Sequence, residues 1–331
     1  MSTLPRKITF YNGMKMPIIG LGTWQIKPEE ISTALDAALE LGYRYIDTAH
    51  MYQNEEAIGK TLKKWFDSGK LKREDIFIVT KLPGKGNHAE SVEKYLKRSL
   101  EAFQLDYVDL YLIQGPIGLE DIGEEFLPKN EKGQWVVDYS TDLVGIWKAM
   151  EAQVDAGRAR SIGLSNFNSR QIAKIVKAAR IRPVYLQLEL NVYFQQRELV
   201  AFCKALDIAV CAYAPLGSPG MNVKLKSLDV PVTENPDLMK DPVVCKVAKQ
   251  HNKTPAQILL RHCIQRDIIV IPKSVKPDRI KENLQIFDFE LTKEEVEELN
   301  SLDKRQAGRR FHLDTISWVV SHPEYPFSDP Y

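Results

Sequence analysis

The chain has 331 residues, 44% of them apolar, which is enough to bury a large core and fits either two modest domains or one α/β barrel. Its formal net charge is +1 with both signs interspersed, which excludes the broad basic field that gathers nucleic acid or an anionic membrane surface. Local basic patches for small anions remain possible on that composition. Cys203, Cys211, Cys245 and Cys263 form no CxxC pair or Cys/His cluster, the N-terminus MSTLPRKITFYNG lacks an apolar leader run, and no apolar stretch reaches the roughly 18 residues of a membrane span. A reduced, cytoplasmic, membrane-free protein is expected.

In chain order, residues 8–18 (ITF-YNG-MKMPI) predict a β-hairpin about Asn12-Gly13. Eight apolar runs follow: IIGLGTW, YRYIDTA, DIFIVTKL, YVDLYLIQ, RSIGLSNF, VYLQLELN, IAVCAYAPLG and IIVIPKS. Each precedes a helical pattern, at 32–41, 55–66, 91–103, 143–156, 170–179, 197–206, 242–250 and 278–283. Strands that alternate with helices run parallel and are buried on both faces. Eight such units without a linker predict a single (β/α)8 TIM barrel over residues 1–331, with the hairpin capping its bottom. Two long connections, 115–141 and 217–241, are read as pocket walls. LTKEEVEELNSL opens on a Thr292/Glu295 capping box, and the aromatic tail 303–331 is expected to drape over the barrel mouth.

In such a barrel, catalytic groups come from the C-terminal ends of different strands. Here those ends carry Thr23, Asp47, Lys81, Gln114, Ser165 with Asn166, Gln187, Tyr213 and Lys273. Asp47 and Lys81 lie one βα unit apart and can pair, with Tyr52 in reach on the next loop. A neighbouring cation is expected to lower the phenol from its usual pKa of about 10, which makes Tyr52 a proton donor at neutral pH. Thr48 and His50 are read as turn supports, and the absence of HxH or HExxH spacing argues against a metal. GLGTW and GKGNHA both fail the dinucleotide fingerprint. In IPKSVKPDRIKEN, Lys273, Lys276 and Arg279 recur every third residue at a helix start after the eighth strand, a pattern suited to a phosphomonoester such as the 2′-phosphate of NADP.

GYRYIDTAHMYQNEEAIG, IGLSNFN, AYAPLGSP and IPKSVKPDRIKEN closely resemble, in order, the signature stretches of the aldo-keto reductases. The chain is similar to the aldose reductase branch, and its tail SHPEYPF resembles that of insect members, including ecdysteroid reductases. The resemblance implies a (β/α)8 barrel, NADPH as hydride donor and reduction of small-molecule aldehydes or ketones by a monomer. It makes Tyr52 the general acid, tuned by Asp47 and Lys81. It places Gly22, Thr23, Trp24 and Asp47 beside the cofactor, Ser165, Asn166 and Gln187 on its carboxamide, and Tyr213 against the nicotinamide ring. Leu216 and Ser218 would lie along the pyrophosphate, and Lys273, Ser274, Val275, Arg279, Glu282 and Asn283 would grip the adenosine and its 2′-phosphate. Trp24, Tyr52, Gln114, Phe126 and Trp318 would line the substrate pocket.

One position departs from the family pattern. Where the family has a histidine, this chain reads Ile113-Gln114-Gly115-Pro116. An amide NH₂ still donates a hydrogen bond to a carbonyl oxygen but cannot relay a proton. Tyr52 is therefore expected to remain the acid, Gln114 to orient the carbonyl, and Gly115 to widen the pocket toward bulkier ketones, ketosteroids included. A protein that binds NADPH with weak or lost turnover, as a sensor or structural subunit, is the alternative reading.

Overall fold

The computed structural model describes residues 6–123, 127–221, 236–311, 317–329 and 331. The chain opens with the antiparallel hairpin β1 (Lys7–Thr9) and β2 (Lys15–Pro17), turned at Gly13 with φ +85°. The strands β3 (Leu21–Gly22), β4 (Tyr45–Asp47), β5 (Phe77–Leu82) and β6 (Val108–Ile113) follow. A small hairpin, β7 (Gly118–Leu119) and β8 (Val137–Asp138), interrupts them before β9 (Ala159–Ser165), β10 (Tyr185–Glu189), β11 (Ala209–Tyr213) and β12 (Ile269–Val270).

Strands β3 to β6 and β9 to β12 form one parallel sheet in chain order. The sheet closes on itself: Ile19 bridges Val270, whose N–H donates to Ile18 O at 3.0 Å, while Gly20 N donates to Val270 O at 2.9 Å. The expected (β/α)8 barrel is thus the observed fold. All residues of β5 (FIVTKL) and β6 (VDLYLI) are buried, as strands sandwiched between a barrel interior and a helical jacket must be. At the N-terminal end, Phe10 from the hairpin packs edge-on against Phe77 and Tyr185, the first residues of β5 and β10, at 6.3 and 6.2 Å. The hairpin therefore plugs that mouth.

Among the described residues the helices of eight residues or more are α1 (Pro28–Glu40), α2 (Glu55–Asp67), α3 (Val92–Phe103), α4 (Leu143–Asp155), α5 (Ser169–Ala178), α6 (Arg197–Ala205), α7 (Pro242–His251), α8 (Pro255–Gln265), α9 (Pro277–Leu284) and α10 (Lys293–Asn300). Two differ from the sequence reading. Helix α1 starts at Pro28, because a proline at the first helical position begins a helix rather than blocking it. Helix α8 lies between 242–251 and β12 and packs on β12, and the sequence reading gave it no place. The capping box on α10 is present, with Glu295 N donating to Thr292 Oγ1 at 3.2 Å and Thr292 N to Glu295 Oε2 at 2.8 Å.

The connection 115–141 holds the β7–β8 hairpin, whose Leu119 and Val137 form a small core with Val319 and Tyr325 of the tail. Farther along, Gln171 Nε2 donates to Glu324 O at 2.9 Å and Ser169 Oγ to Tyr331 O at 2.6 Å. These bonds fasten the tail to the N-terminus of α5, at the end of the barrel where β9 finishes. No helix among the described residues is long and apolar enough to cross a membrane.

Candidate active site at the C-terminal mouth

Strand β4 alternates faces every residue, so Tyr45 and Asp47 both enter the barrel, with Asp47 at the C-terminal rim. Asp47 is buried and uses both carboxylate oxygens. Oδ1 accepts from Lys81 Nζ at 2.7 Å, and Oδ2 accepts from Gln187 Nε2 at 2.7 Å and from Tyr45 OH at 3.2 Å. Lys81, only 1% exposed, makes a second bond to Thr48 O at 2.7 Å. A buried ammonium with a carboxylate and a carbonyl on it has one donor left. That donor is on the side of Tyr52, whose ring centre lies 5.1 Å from Nζ.

Tyr52 ends a single turn of 3₁₀ helix, His50–Tyr52, and the chain leaves it through Gln53 at φ +57°. The turn is braced on both sides. Thr48 Oγ1 donates to Asn54 Oδ1 at 2.8 Å, and Asn54 Nδ2 donates to Thr23 O and Ile26 O at 2.9 and 3.1 Å. Thr23 Oγ1 in turn donates to Asp47 O at 2.9 Å. His50 Nδ1 meets Glu55 Oε2 at 3.2 Å, and Thr80 Oγ1 holds the other oxygen of that carboxylate.

The charge on this turn corrects one expectation. Burial raises the Tyr52 pKa above 10; Lys81 pulls it down, Asp47 pushes it up, and the balance is upward rather than the lowering expected from the cation alone. Tyr52 is consequently protonated throughout the neutral range, and Lys81 is positioned to stabilise the phenolate left once that proton is given away. Lys81 itself is drawn down by burial, but Asp47 and Tyr52 outweigh this and its pKa is raised.

Gln114 follows β6, and its N–H donates to Leu82 O at 3.1 Å. Its amide is weakly engaged: Nε2 sits 2.6 Å from the thioether sulfur of Met51, a poor acceptor, and Oε1 is buried without a partner. Met51 immediately precedes Tyr52 in the chain.

A second group gathers at the ends of β9 to β11. Asn166, at φ +61°, donates from Nδ2 to Gln114 O at 2.9 Å and to Ser165 Oγ at 3.2 Å, and accepts from Tyr213 OH at 2.8 Å. Gln187 Nε2 is engaged by Asp47, which leaves its Oε1 for other contacts. Phe311 of the tail packs edge-on to Tyr213 at 5.1 Å and tilted against Trp24 at 5.5 Å. Its position is set by Glu189, which accepts from Arg310 N at 2.8 Å and Phe311 N at 3.0 Å. Burial pushes the Glu189 carboxyl up to about 7, against those two N–H groups and Arg309 and Arg310. Arg310 also donates to Gly217 O and Pro236 O, tying the tail to both described ends of the 217–241 connection.

A third group stands at the start of α9. Lys276 is its N-cap and Pro277 its first residue, and Ser274 Oγ accepts from Lys276 N at 3.1 Å. Lys273, Lys276 and Arg279 are exposed and enter no ion pair among the described residues. Val275 packs partly on the core, Asn283 is buried, and Glu282 Oε1 accepts from Thr254 Oγ1 at 2.7 Å. Leu216 is partly buried, and Ser218 has φ +46°. Gly22 N donates to Pro272 O at 3.2 Å across the barrel seam, which brings the residues around Thr23 and Trp24 next to Lys273. Phe126, the side chain of Trp318 and residues 222–235 lie outside the described residues.

The structure thus joins Asp47, Lys81, Tyr52, Gln114, Asn166, Gln187 and Tyr213 through direct contacts, while the cationic group forms a separate end. The sequence reading missed Tyr45, which the two-residue strand period places under Asp47. It also missed Met51 against Gln114. A polar cluster beside an aromatic ring at one end, and unpaired cations at a helix N-terminus at the other, fit a nicotinamide dinucleotide with a terminal phosphate. Among the described residues no group of His, Cys, Asp and Glu is arranged to hold a metal ion.

A family model described as the Aldo/keto reductase family matches residues 18–304. Aldo-keto reductase family 1 member A1 of Gallus gallus is 44% identical over 329 residues, covering 98% of each chain. Prostaglandin F synthase 2 of Bos taurus is 41% identical over 333 residues, again covering 98% of each. Among solved structures, the aldose reductase from Schistosoma japonicum matches with a TM-score of 0.88 at 41% identity, over 98% of this chain and 100% of that one. The chain belongs to the aldo/keto reductase family and is a nicotinamide-dependent oxidoreductase.

Proposed function

We propose that the protein reduces aldehydes and ketones to alcohols, with NADPH as the donor and Tyr52 as the acid. The observation that carries this reading is the enclosed Asp47–Lys81–Tyr52 array, with Lys81 1% exposed and bonded at 2.7 Å to Asp47. NADPH, when bound, supplies the hydride. The chain's own groups do the rest. Tyr52 gives its hydroxyl proton to the carbonyl oxygen as negative charge develops there. Lys81 stabilises the resulting phenolate, and Asp47 holds Lys81 charged and aimed. The Tyr52 proton is then restored from solvent.

Ser165, Asn166 and the free Oε1 of Gln187 are the groups for the carboxamide, and the Tyr213 ring is the surface for the nicotinamide. Gly22, Thr23 and Trp24 line the adjoining rim, and Leu216 and Ser218 follow the pyrophosphate. Ser274, Val275, Glu282 and Asn283 hold the adenosine. Unpaired Lys273, Lys276 and Arg279 favour NADPH over NADH, because an added phosphomonoester finds cations there without displacing an existing partner.

Gln114 orients the substrate carbonyl. Its Nε2 has only a thioether in contact, so turning it toward a carbonyl oxygen gives up little. Beside it, a Cβ on Gly115 would meet nothing within 4 Å. That open space supports bulky ketones, ketosteroids included. NADPH binding without turnover is the alternative that Gln114 raises; the intact Asp47–Lys81 pair weighs against it. NADPH consumption with a panel of aldehydes, quinones and ketosteroids, with product identification, tests the proposal. Reduction of both small aldehydes and bulky ketones is expected, with a faster Gln114→His variant. Reduction of small aldehydes alone would remove the wide pocket, and an unchanged pH–rate profile in Gln114→His would remove the orienting role.

A further inference from the structure

Beneath the rim, a second polar layer lies inside the barrel. Tyr45 and Tyr185 are fully buried, and their hydroxyls are 2.9 Å apart. Tyr45 OH also lies 3.2 Å from Asp47 Oδ2. Each tyrosine sits two residues below a rim residue on its strand, Asp47 on β4 and Gln187 on β10, so strand alternation aims the pair at the underside of the catalytic carboxylate. The fold makes room for them. A Cβ on Gly20 would stand 2.2 Å from the Tyr45 ring. Two phenols in a barrel core are an uncommon filling, since a buried hydroxyl needs a partner.

The number of protons fixes the direction of the bonds. A phenol has one hydrogen, and an ionised carboxylate only accepts. The Tyr45 proton is therefore directed to Asp47, and the oxygen of Tyr45 must accept the proton of Tyr185. Burial holds both phenols well above 10, so both keep their protons at any working pH. The titratable groups facing this layer are Asp47 from β4 and Cys211 from β11, and the Cys211 thiol is also raised by burial.

We infer that Tyr45 and Tyr185 are positioning residues for the reduction: a two-step hydrogen-bond relay from the barrel interior that fixes Asp47 Oδ2 from below and thereby sets how strongly Oδ1 holds the Lys81 ammonium. Asp47 carries one negative charge, and each donor on Oδ2 draws density from Oδ1. When the relay is lost, Oδ1 takes a larger share of the Lys81 proton. Less positive charge then reaches Tyr52, whose phenolate becomes harder to form. The inference rests on Tyr52 being the acid, and the test separates the two.

The pH dependence of kcat for NADPH-driven aldehyde reduction is measured in the wild type, Tyr45→Phe, Tyr185→Phe, the double variant and Tyr52→Phe, with melting temperatures alongside. A net hydrogen bond corresponds to roughly 2- to 10-fold in an equilibrium. Tyr45→Phe is therefore expected to lower kcat at neutral pH by about that factor and to move the limb that reports Tyr52 upward by roughly 0.3 to 1 pH unit. Tyr185→Phe, one bond further away and with the Tyr45–Asp47 bond kept, moves it less in the same direction, and the double variant matches Tyr45→Phe. A lower melting temperature with kcat and the limb unmoved in both single variants makes the pair mere packing and overturns the inference. If Tyr45→Phe does not fold, the limb in Tyr185→Phe decides alone, and no shift there overturns it. A Tyr52→Phe variant that still turns over contradicts the assignment of the acid instead, whatever the relay does.

Discussion

Two ion pairs with a buried carboxylate, one at each end of the barrel, share a separation of 2.7 Å and differ in consequence. At the N-terminal end Arg73 meets Asp109. The remaining hydrogen bonds of that pair go to backbone, Arg73 donating to Ile76 O and Tyr107 O and Asp109 accepting from Ile78 N, and Arg160 stands 3.6 Å from the other Asp109 oxygen. Burial raises the Asp109 pKa while Arg73 opposes it, so the pair fastens the entrances of β5 and β6 and presents nothing to solvent chemistry. At the C-terminal end Lys81 meets Asp47, and the remaining donor of Lys81 faces a phenol. The contact is the same in kind. On the proposed mechanism, what makes one structural and the other chemical is the third group: a carbonyl cannot give up a proton, and Tyr52 can.

The sharpest way to break this comparison is to remove the cation from each pair. Lys81→Met is expected to lower kcat for aldehyde reduction by about 10²- to 10⁴-fold, the span of a general acid–base contribution, as read by steady-state NADPH oxidation. Arg73→Met leaves Asp109 with only the longer contact to Arg160 and is expected to cost about 1–3 kcal/mol in denaturant unfolding, with kcat per folded molecule unchanged. Loss of turnover in Arg73→Met would erase the distinction between the two ends.

A smaller effect concerns Glu189, which holds the tail against Tyr213. Its folded pKa of about 7 lies above its ordinary 4.5, so the folded state binds more protons between those values and stability falls as pH rises through that window, by up to about 3 kcal/mol. Glu189→Gln does not titrate. Melting temperature against pH from 4.5 to 7 is expected to fall less steeply in the variant than in the wild type. The smallest expected effect is at the unpaired cations: Arg279→Ala should raise KM for NADPH about tenfold through one lost charge-assisted bond while leaving KM for NADH in place.

The barrel was legible because its strands are unbroken apolar runs: FIVTKL and VDLYLI leave little room for another reading. Helix α8 was not, because its polar residues Gln257, Arg261 and His262 are buried along with its apolar ones, so no amphipathic stripe marks it. Its signal was local, a Thr254/Gln257 capping box with Pro255 at the first helical position. The β7–β8 hairpin escaped because strands of two residues carry no period.

At the site, residue types and spacing were enough to name Asp47, Lys81 and Tyr52 together. The sign of the Tyr52 shift was not available, since it depends on how completely the phenol is enclosed, which is a property of the whole fold. Tyr45 was overlooked for a related reason. On the sequence it is one aromatic in GYRYID, and only the closed barrel shows that Tyr185, from the far side, meets its hydroxyl.

Tyr52→Phe tests the account most directly. The variant removes the hydroxyl on the side of Lys81 and leaves the ring in place. With NADPH and an aldehyde mixed in a stopped-flow instrument, loss of hydride transfer by at least about 100-fold is predicted, with NADPH binding retained in a parallel fluorescence titration. Hydride transfer at the wild-type rate in Tyr52→Phe would contradict it.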